Sequence, residues 1–320
     1  MDKFRWAYIG SGNIANSTAR SILKGNHCIT AVYSRNHDKA ISFAKKHDAK
    51  AFASFEDMIE SDEFDAVYIA TPHTSHVYYA VACMDRGLPV LCEKPVGVTV
   101  NDVDTLINSA RNNNTYFVEA MWTWFSPVAK QVKHWIDNAE IGDVKNVVIN
   151  YAFPGLMMSK DSRVLTPSTA GGALLDIGIY PITYCYNLFG YPKAIKCKGE
   201  ISNGIDVAET VILSYDGFDC TLNMSLKVLK EDCKIVGTKG EIKLPMFHIA
   251  SKAVMKNGKK TVFRGKTDYL TEFNCVAEEI KDGKKESDYI PFESTRACMQ
   301  IMDECRRQMN LVYPFEIENK

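Results

Sequence analysis

The stretch Gly10-Ser11-Gly12-Asn13-Ile14-Ala15 limits what this chain can fold into more than any other. It follows the apolar run Arg5-Trp6-Ala7-Tyr8-Ile9, which reads as a buried strand. It opens an amphipathic stretch, residues 13–24, which reads as a helix stopped by Gly25. The first glycine permits a tight strand-to-helix turn. The second lets another group approach the backbone closely, and the small Ala15 lets helix and strand pack together. The free N–H groups and partial positive charge at the start of such a helix favour a pyrophosphate. Gly10, Ser11, Gly12, Asn13 and Ile14 are therefore candidate contacts for a dinucleotide. The turn alone is a weak signal; its place on the first strand of a strand–helix series gives it meaning.

That series continues. Strands are expected at 28–34, 51–53, 65–70, 89–92 and 116–121, and helices at 37–47, 75–85 and 103–112. Alternation of this kind implies parallel strands joined by right-handed crossovers. After Pro127 the pattern changes. A helix at 128–138 ends in the Ile141-Gly142-Asp143 turn, and strands follow at 144–153, 194–201, 207–215, 218–228 and 232–236. Asp216-Gly217 and Asn257-Gly258 mark hairpins, so these strands are largely antiparallel. The chain has 320 residues, beyond the roughly 250–300 at which a single core stops growing. The expected architecture is α/β: a Rossmann domain over residues 1–122, then an α+β domain over 123–320 with a mostly antiparallel open sheet.

Formal net charge is −1, and no long block carries one sign. That argues against nucleic acid or a membrane surface as a main partner. No apolar run approaches the roughly 18 residues of a membrane helix. Met1-Asp2-Lys3 runs straight into the first strand, and no secretory leader is expected. The ten cysteines include no Cys-x-x-Cys pair, and free thiols in a reducing cytoplasm are the simplest reading.

Where NAD enzymes carry an acid at the end of the second strand to bind ribose hydroxyls, this chain has Ser34-Arg35, with no acid until Asp38. Ser34 can hydrogen-bond a 2′-phosphate, Arg35 can pair with it or stack on adenine, and Lys39 adds charge. NADP is expected in preference to NAD; a solvated surface charge is the plainer reading of Arg35. The loop Thr71-Pro72-His73 follows the fourth strand, at the sheet edge where ligands bind. Thr71, Pro72, His73 and His76 are expected near the cofactor. His73 and His76 have the spacing of a metal pair, but nothing supplies a third ligand and no metal is expected. Glu93-Lys94-Pro95 follows the fifth strand. Lys94 there can meet the nicotinamide ribose and a substrate oxygen, with Glu93 beside it; a surface ion pair between the two is the alternative.

Taken in order, Gly10–Ala15, Ser34-Arg35 and Glu93-Lys94-Pro95 resemble the glucose-fructose oxidoreductase, inositol dehydrogenase and rhizopine-catabolism (Gfo/Idh/MocA) family. Residues 170–180, Ala-Gly-Gly-Ala-Leu-Leu-Asp-Ile-Gly-Ile-Tyr, match that family's second-domain signature. Val118-Glu119-Ala120-Met121-Trp122-Thr123 is similar to its dimeric dihydrodiol dehydrogenase and NADP-linked xylose dehydrogenase branch. The inositol dehydrogenase branch has His where this chain has Tyr180. The resemblance implies an oxidoreductase acting on a sugar, diol or dicarbonyl, and a homodimer or higher homo-oligomer formed through the second sheet. It further implies that Lys94, Asp176 and Tyr180 are catalytic.

The chemistry of that trio is coherent. A phenol, with an ordinary pKa of about 10, is a poor base at neutral pH unless a nearby cation favours the phenolate. Lys94 supplies such a charge, so Tyr180 can take a proton in alcohol oxidation and return it in carbonyl reduction. Asp176 and Tyr180 are spaced i, i+4 and on an α-helix would share one face; a purely structural Asp176 is the alternative. Arg163 is read as a contact for substrate or cofactor, or equally as a structural ion pair. Trp122, Trp124 and Phe153 are read as an apolar wall to the substrate pocket, or as core. Two other functions fit the same motifs: a non-catalytic cofactor-binding regulator, and a glycosidase that returns the hydride to its substrate.

Overall fold

The computed structural model describes residues 2–159 and 162–318. The chain forms two compact units.

The first unit begins with β1 (Phe4–Ile9), α1 (Asn13–Ile22), β2 (His27–Tyr33), α2 (His37–His47), β3 (Lys50–Phe52) and α3 (Phe55–Ile59). It continues with β4 (Ala66–Ile69), α4 (His76–Met84), β5 (Val90–Glu93), α5 (Val100–Asn112) and β6 (Phe117–Ala120). The six strands pair in parallel in the order β3-β2-β1-β4-β5-β6. Residues of β4, β5 and β6 are buried at every position, which is why their sequences run apolar instead of alternating. The strand order reverses between β1 and β4, so a crevice opens at their carboxyl ends.

The helix α3 is absent from the sequence reading. Its cap is visible in the chain, since Ser54 Oγ accepts from Asp57 N–H at 3.2 Å. Its five residues are too few to show a helical period. α5 starts three residues before the expected residue 103. The N–H of Val100 donates to the Asp303 carboxylate at 2.8 Å, a partner 203 residues away that no local pattern reveals.

The second unit holds α6 (Pro127–Asp137), β7 (Val144–Ala152), α7 (Ile179–Phe189) and seven further strands. These are β8 (Ala194–Ser202), β9 (Ile205–Tyr215), β10 (Phe218–Ser225), β11 (Lys230–Gly237), β12 (Glu241–Pro245), β13 (Lys252–Asn257) and β14 (Lys259–Arg264). They form a sheet in the order β14-β13-β12-β11-β7-β10-β9-β8, antiparallel except where β7 meets β10. Both expected hairpins are present, with Gly217 and Gly258 each at φ +82°. Strands β9 and β10 alternate buried and part-exposed residues, as a sheet covered on one face does. α7 lies on the covered face and buries Ile182, Tyr184 and Cys185.

The chain then returns to the first unit with α8 (Tyr269–Lys281), before α9 (Phe292–Met309) and α10 (Pro314–Glu318). Phe273 of α8 packs on Trp6 and Tyr68 with ring centroids 4.8 and 5.1 Å apart, and Tyr116 donates to Glu279 at 2.6 Å. The large aromatic faces of β1 and β4 need this cover. Residues 268–292 accordingly belong to the first unit, and 98–100 to the second. The contiguous stretches 1–122 and 123–320 expected from sequence differ from the compact units at these two places.

Candidate active site

Gly10 has φ +104°, and a Cβ built on it would lie 2.5 Å from the Ala70 carbonyl oxygen. Its N–H donates to Tyr33 O, and Ala70 N–H donates to Ile9 O, both at 2.8 Å. The turn is thus wedged between the ends of β2 and β4, where only glycine fits. Gly12 caps α1, and nothing lies within 4 Å of where its Cβ would be. Asn16 fixes the turn by donating to the carbonyls of Ser11 (3.1 Å) and Gly12 (2.9 Å). The first turn of α1 carries no acid, so its positive end is uncompensated.

A cleft of about 490 Å³ opens over this turn. Gly10, Ser11, Gly12, Asn13, Ser34, Arg35, Lys39, Thr71 and Pro72 all line it. Ile14, one residue further into α1, does not. Sequence reasoning missed Tyr33, Asn36 and Tyr79 in the lining. Asn36 caps α2 by accepting from Lys39 N–H at 3.0 Å, so a second helix start faces the cleft. Tyr79 stands three residues after His76 on α4, and that spacing was its only signal. Burial pushes its phenol up to about 12, with Tyr33 adding to the shift. These residues fit a dinucleotide: a turn admitting no side chain at Gly10, open space at Gly12, an uncompensated helix start, and cationic Arg35 and Lys39 on the rim.

His73 and His76 are buried. The ring nitrogens of His76 face Pro95 O at 2.9 Å and Thr71 O at 2.8 Å. His76 therefore ties the loop after β4 to the turn just beyond Lys94. Glu93 is also buried, and its carboxylate accepts from the Tyr68 hydroxyl at 2.5 Å. Glu93 thus lies off the surface. Lys94 is half-buried between the buried Glu93 and Pro95, and the Lys94–Pro95 peptide is cis. Among the described residues, no three His, Cys, Asp or Glu side chains gather as a metal site.

In the second unit Ala170 (φ +53°) and Gly172 (φ +128°) turn the chain into the segment that bears Asp176. Gly171 N–H donates to Thr166 O at 3.1 Å and Gly172 N–H to Val164 O at 2.9 Å. Leu174–Gly178 is a π-helical turn that runs into α7. Asp176 therefore sits in the π-helical turn and Tyr180 at the start of α7, so the two are not carried by one continuous α-helix. Asp176 is 7% and Tyr180 6% exposed. Arg163 donates to Asp176 Oδ1 at 2.7 Å, so of the readings open for Arg163 the ion pair is realised.

The Tyr180 ring meets His248 edge-on (centroids 4.8 Å, 70°) and Tyr151 (5.7 Å, 66°), while His248 stacks on Tyr151 (4.8 Å, 21°). Met246 at φ +53° begins the bend that delivers His248. The Glu231 carboxylate pins that bend, accepting from His248 N–H at 2.5 Å. Burial raises the Glu231 carboxyl, against the backbone bonds that favour its charge. Neither His248 nor Tyr151 carries a motif, so sequence reasoning missed both. Trp122 is buried in the first unit with its ring 4.7 Å from Tyr269, and Trp124 is buried in the second, 5.5 Å from Tyr184. Phe153 is half-buried beside Gly155 in the second unit. Trp122 and Phe153 thus fall in different units.

Known proteins bear on this site. Residues 4–120 match a family described as oxidoreductases with an NAD-binding Rossmann fold, and residues 129–243 match the GFO/IDH/MocA C-terminal domain. The chain is 33% identical to a scyllo-inositol 2-dehydrogenase (NADP(+)), IolU, of Bacillus subtilis, over 97% of this chain and 98% of that one. It is 31% identical to a trans-1,2-dihydrobenzene-1,2-diol dehydrogenase of Danio rerio, over 97% and 98% of the two chains. Its fold is shared with a 3-ketoreductase from Actinomadura kijaniata in complex with NADP and TDP-benzene, at TM-score 0.86 and 20% identity over 96% of this chain and 98% of that one. The cleft over the glycine turn and the sheet-bearing second unit are thus those of an NAD(P)-binding enzyme, and the chain belongs to the Gfo/Idh/MocA family of oxidoreductases.

Proposed function

We propose that the protein transfers a hydride between NADP(H) and a carbinol or carbonyl carbon of a sugar, cyclic polyol, diol or dicarbonyl. The observation that carries this reading is the cofactor cleft at the ends of β1, β2 and β4, with Lys94 at the carboxyl end of the next strand, β5. The relatives named for inositol and dihydrodiol oxidation support a hydroxylated ring as the substrate class.

NADP, when bound, supplies or accepts the hydride. Tyr180 Oη takes the hydroxyl proton in oxidation and gives it back in reduction. The Lys94 ammonium favours the phenolate form of Tyr180 and steadies the substrate oxygen. Asp176, paired with Arg163 at 2.7 Å, orients a substrate hydroxyl. His248 and Tyr151 cover the Tyr180 ring and keep water from it. Ser34, Arg35 and Lys39 bind the 2′-phosphate; their place on the cleft rim and the NADP-linked relative support that preference.

We further propose a homodimer or higher homo-oligomer built on the open face of the second sheet. Thr210, Asn223, Asn150 and Asp232 form a hydrogen-bonded ladder across it. Ten free thiols support a reducing, cytoplasmic compartment. Among the described residues, no helix is long and apolar enough to cross a membrane.

The test is NADPH consumption, and NADP reduction, against a panel of aldoses, cyclic polyols, vicinal diols and dicarbonyls, with product chromatography. Stoichiometric cofactor turnover is expected with at least one class. Release of an unoxidised sugar without net cofactor change, or NADPH binding with no turnover across the panel, contradicts the reading.

A further inference from the structure

Two carboxyl groups lie buried beside the segment that carries Asp176 and Tyr180. Asp206 is 0% and Glu209 4% exposed, both on β9. Asp206 Oδ2 accepts from Leu174 N–H at 2.5 Å, the first residue of the π-helical turn. Asp206 Oδ1 approaches Gly172 so closely that a Cβ there would lie 2.0 Å from it. Glu209 Oε1 stands 3.6 Å from where a Gly178 Cβ would be. Asp206 thus holds the start of the turn, and Glu209 lies near its end. Asp206 Oδ1 and both Glu209 oxygens meet no regular hydrogen-bond donor among the described residues. The groups around them are Cys197 on β8, Cys305 on α9 and Tyr313 before α10, and the Tyr313 hydroxyl donates to Gly171 O at 3.0 Å. The Arg306 guanidinium is engaged by Glu316 and the Val98 carbonyl.

Two ionised carboxylates buried together, with three of their four oxygens lacking a donor among the described residues, are far too costly to persist. One proton between them removes the repulsion and supplies the missing donor. Its place follows from the surroundings. Burial raises both carboxyls, but backbone N–H groups that donate to Asp206 offset part of its rise, whereas the neighbouring Asp206 pushes Glu209 further up.

We propose that Glu209 keeps its proton at neutral pH and donates it to Asp206, and that this acid pair holds residues 171–178 in the shape that presents Asp176 and Tyr180. Asp206 and Glu209 are positioning residues, since both are buried and neither lines the cofactor cleft. The consequence for turnover rests on the hydride-transfer reading above; the proton and the shape of the turn do not.

Three measurements on the full chain separate these parts. Infrared difference spectra at neutral pH, wild type minus Glu209→Gln, should show the carbonyl stretch of a protonated carboxyl; a flat difference overturns the shared proton. Hydrogen exchange should rise about tenfold or more across 171–178 in Asp206→Asn and in Glu209→Leu, while amides of β1 to β6 stay unchanged. Unchanged exchange at 171–178 overturns the positioning role, and either variant suffices if the other does not fold. In Asp206→Asn, kcat should fall about 10- to 100-fold with the KM for NADPH unchanged, the effect of a small misplacement of reacting groups. Faster exchange with unaltered kcat upholds the pair and counts instead against Tyr180 as the proton carrier.

Discussion

Arg35 and Arg163 differ in what holds them. Arg35 is exposed on the rim of the cofactor cleft, whereas Arg163 is committed to Asp176 at 2.7 Å. An exposed arginine contributes little by itself to folding, so Arg35→Ala should leave stability unchanged. A charged hydrogen bond to a phosphate is worth more, and kcat/KM for NADPH should fall about 10- to 100-fold. The value for NADH, which lacks the 2′-phosphate, should change by less than about threefold. Equal losses with both cofactors would contradict a 2′-phosphate site at Arg35. At this scale the sequence was informative where a residue's role is local. Gly10, Ser34 and Lys94 sit at strand ends that the pattern locates. His248 and Tyr151 reach Tyr180 through tertiary packing, and nothing near them in the chain hints at it.

The turn from β1 to α1 separates two glycine roles within one element. Gly10 needs its left-handed backbone and has no room for a methyl group, whereas Gly12 has both an ordinary backbone and open space. Gly10→Ala should lower unfolding stability by about 1–3 kcal/mol, from strain at positive φ and the clash with Ala70. Gly12→Ala should melt as the wild type does yet bind NADPH at least about tenfold more weakly, because the methyl occupies space the pyrophosphate needs. Calorimetry and fluorescence titration of both variants check this; full affinity in Gly12→Ala would place the pyrophosphate elsewhere. The π-helical turn at Leu174–Gly178 is the counter-example for legibility. Its sequence, Leu-Leu-Asp-Ile-Gly, is an ordinary helical pattern. The N–H that opens it, that of Leu174, donates to Asp206, a contact 32 residues distant that no local pattern reveals.

Across the whole molecule, most elements were legible because buried parallel strands and hairpin turns leave strong periodic signals. The return of residues 268–292 to the first unit was not. The buried side of α8, with Phe273 and Val276, is that of any amphipathic helix and does not say which sheet it covers. That helix also brings Glu272 into the first core, 1% exposed, with Oε1 lacking a donor among the described residues. Burial, reinforced by Glu93, raises its carboxyl well above the ordinary 4.5. The folded chain thus holds a proton that the unfolded chain releases, and this contribution to stability declines as pH rises above 4.5 toward the folded pKa. Glu272→Gln does not titrate. The Tm of this variant minus that of the wild type should therefore grow as pH is raised from about 5 to 8, by a few degrees at least. A difference independent of pH would mean that Glu272 is ionised in the fold.

The role proposed for Tyr180 as proton carrier is tested most directly by the turnover of Tyr180→Phe. The variant keeps the ring packing on His248 and Tyr151 and loses only the hydroxyl. With a substrate found in the panel assay, kcat should fall by at least about 100-fold, while the Kd for NADPH, read by fluorescence, stays at the wild-type value. A kcat near that of the wild type, with NADPH still bound, would contradict the mechanism proposed for this protein.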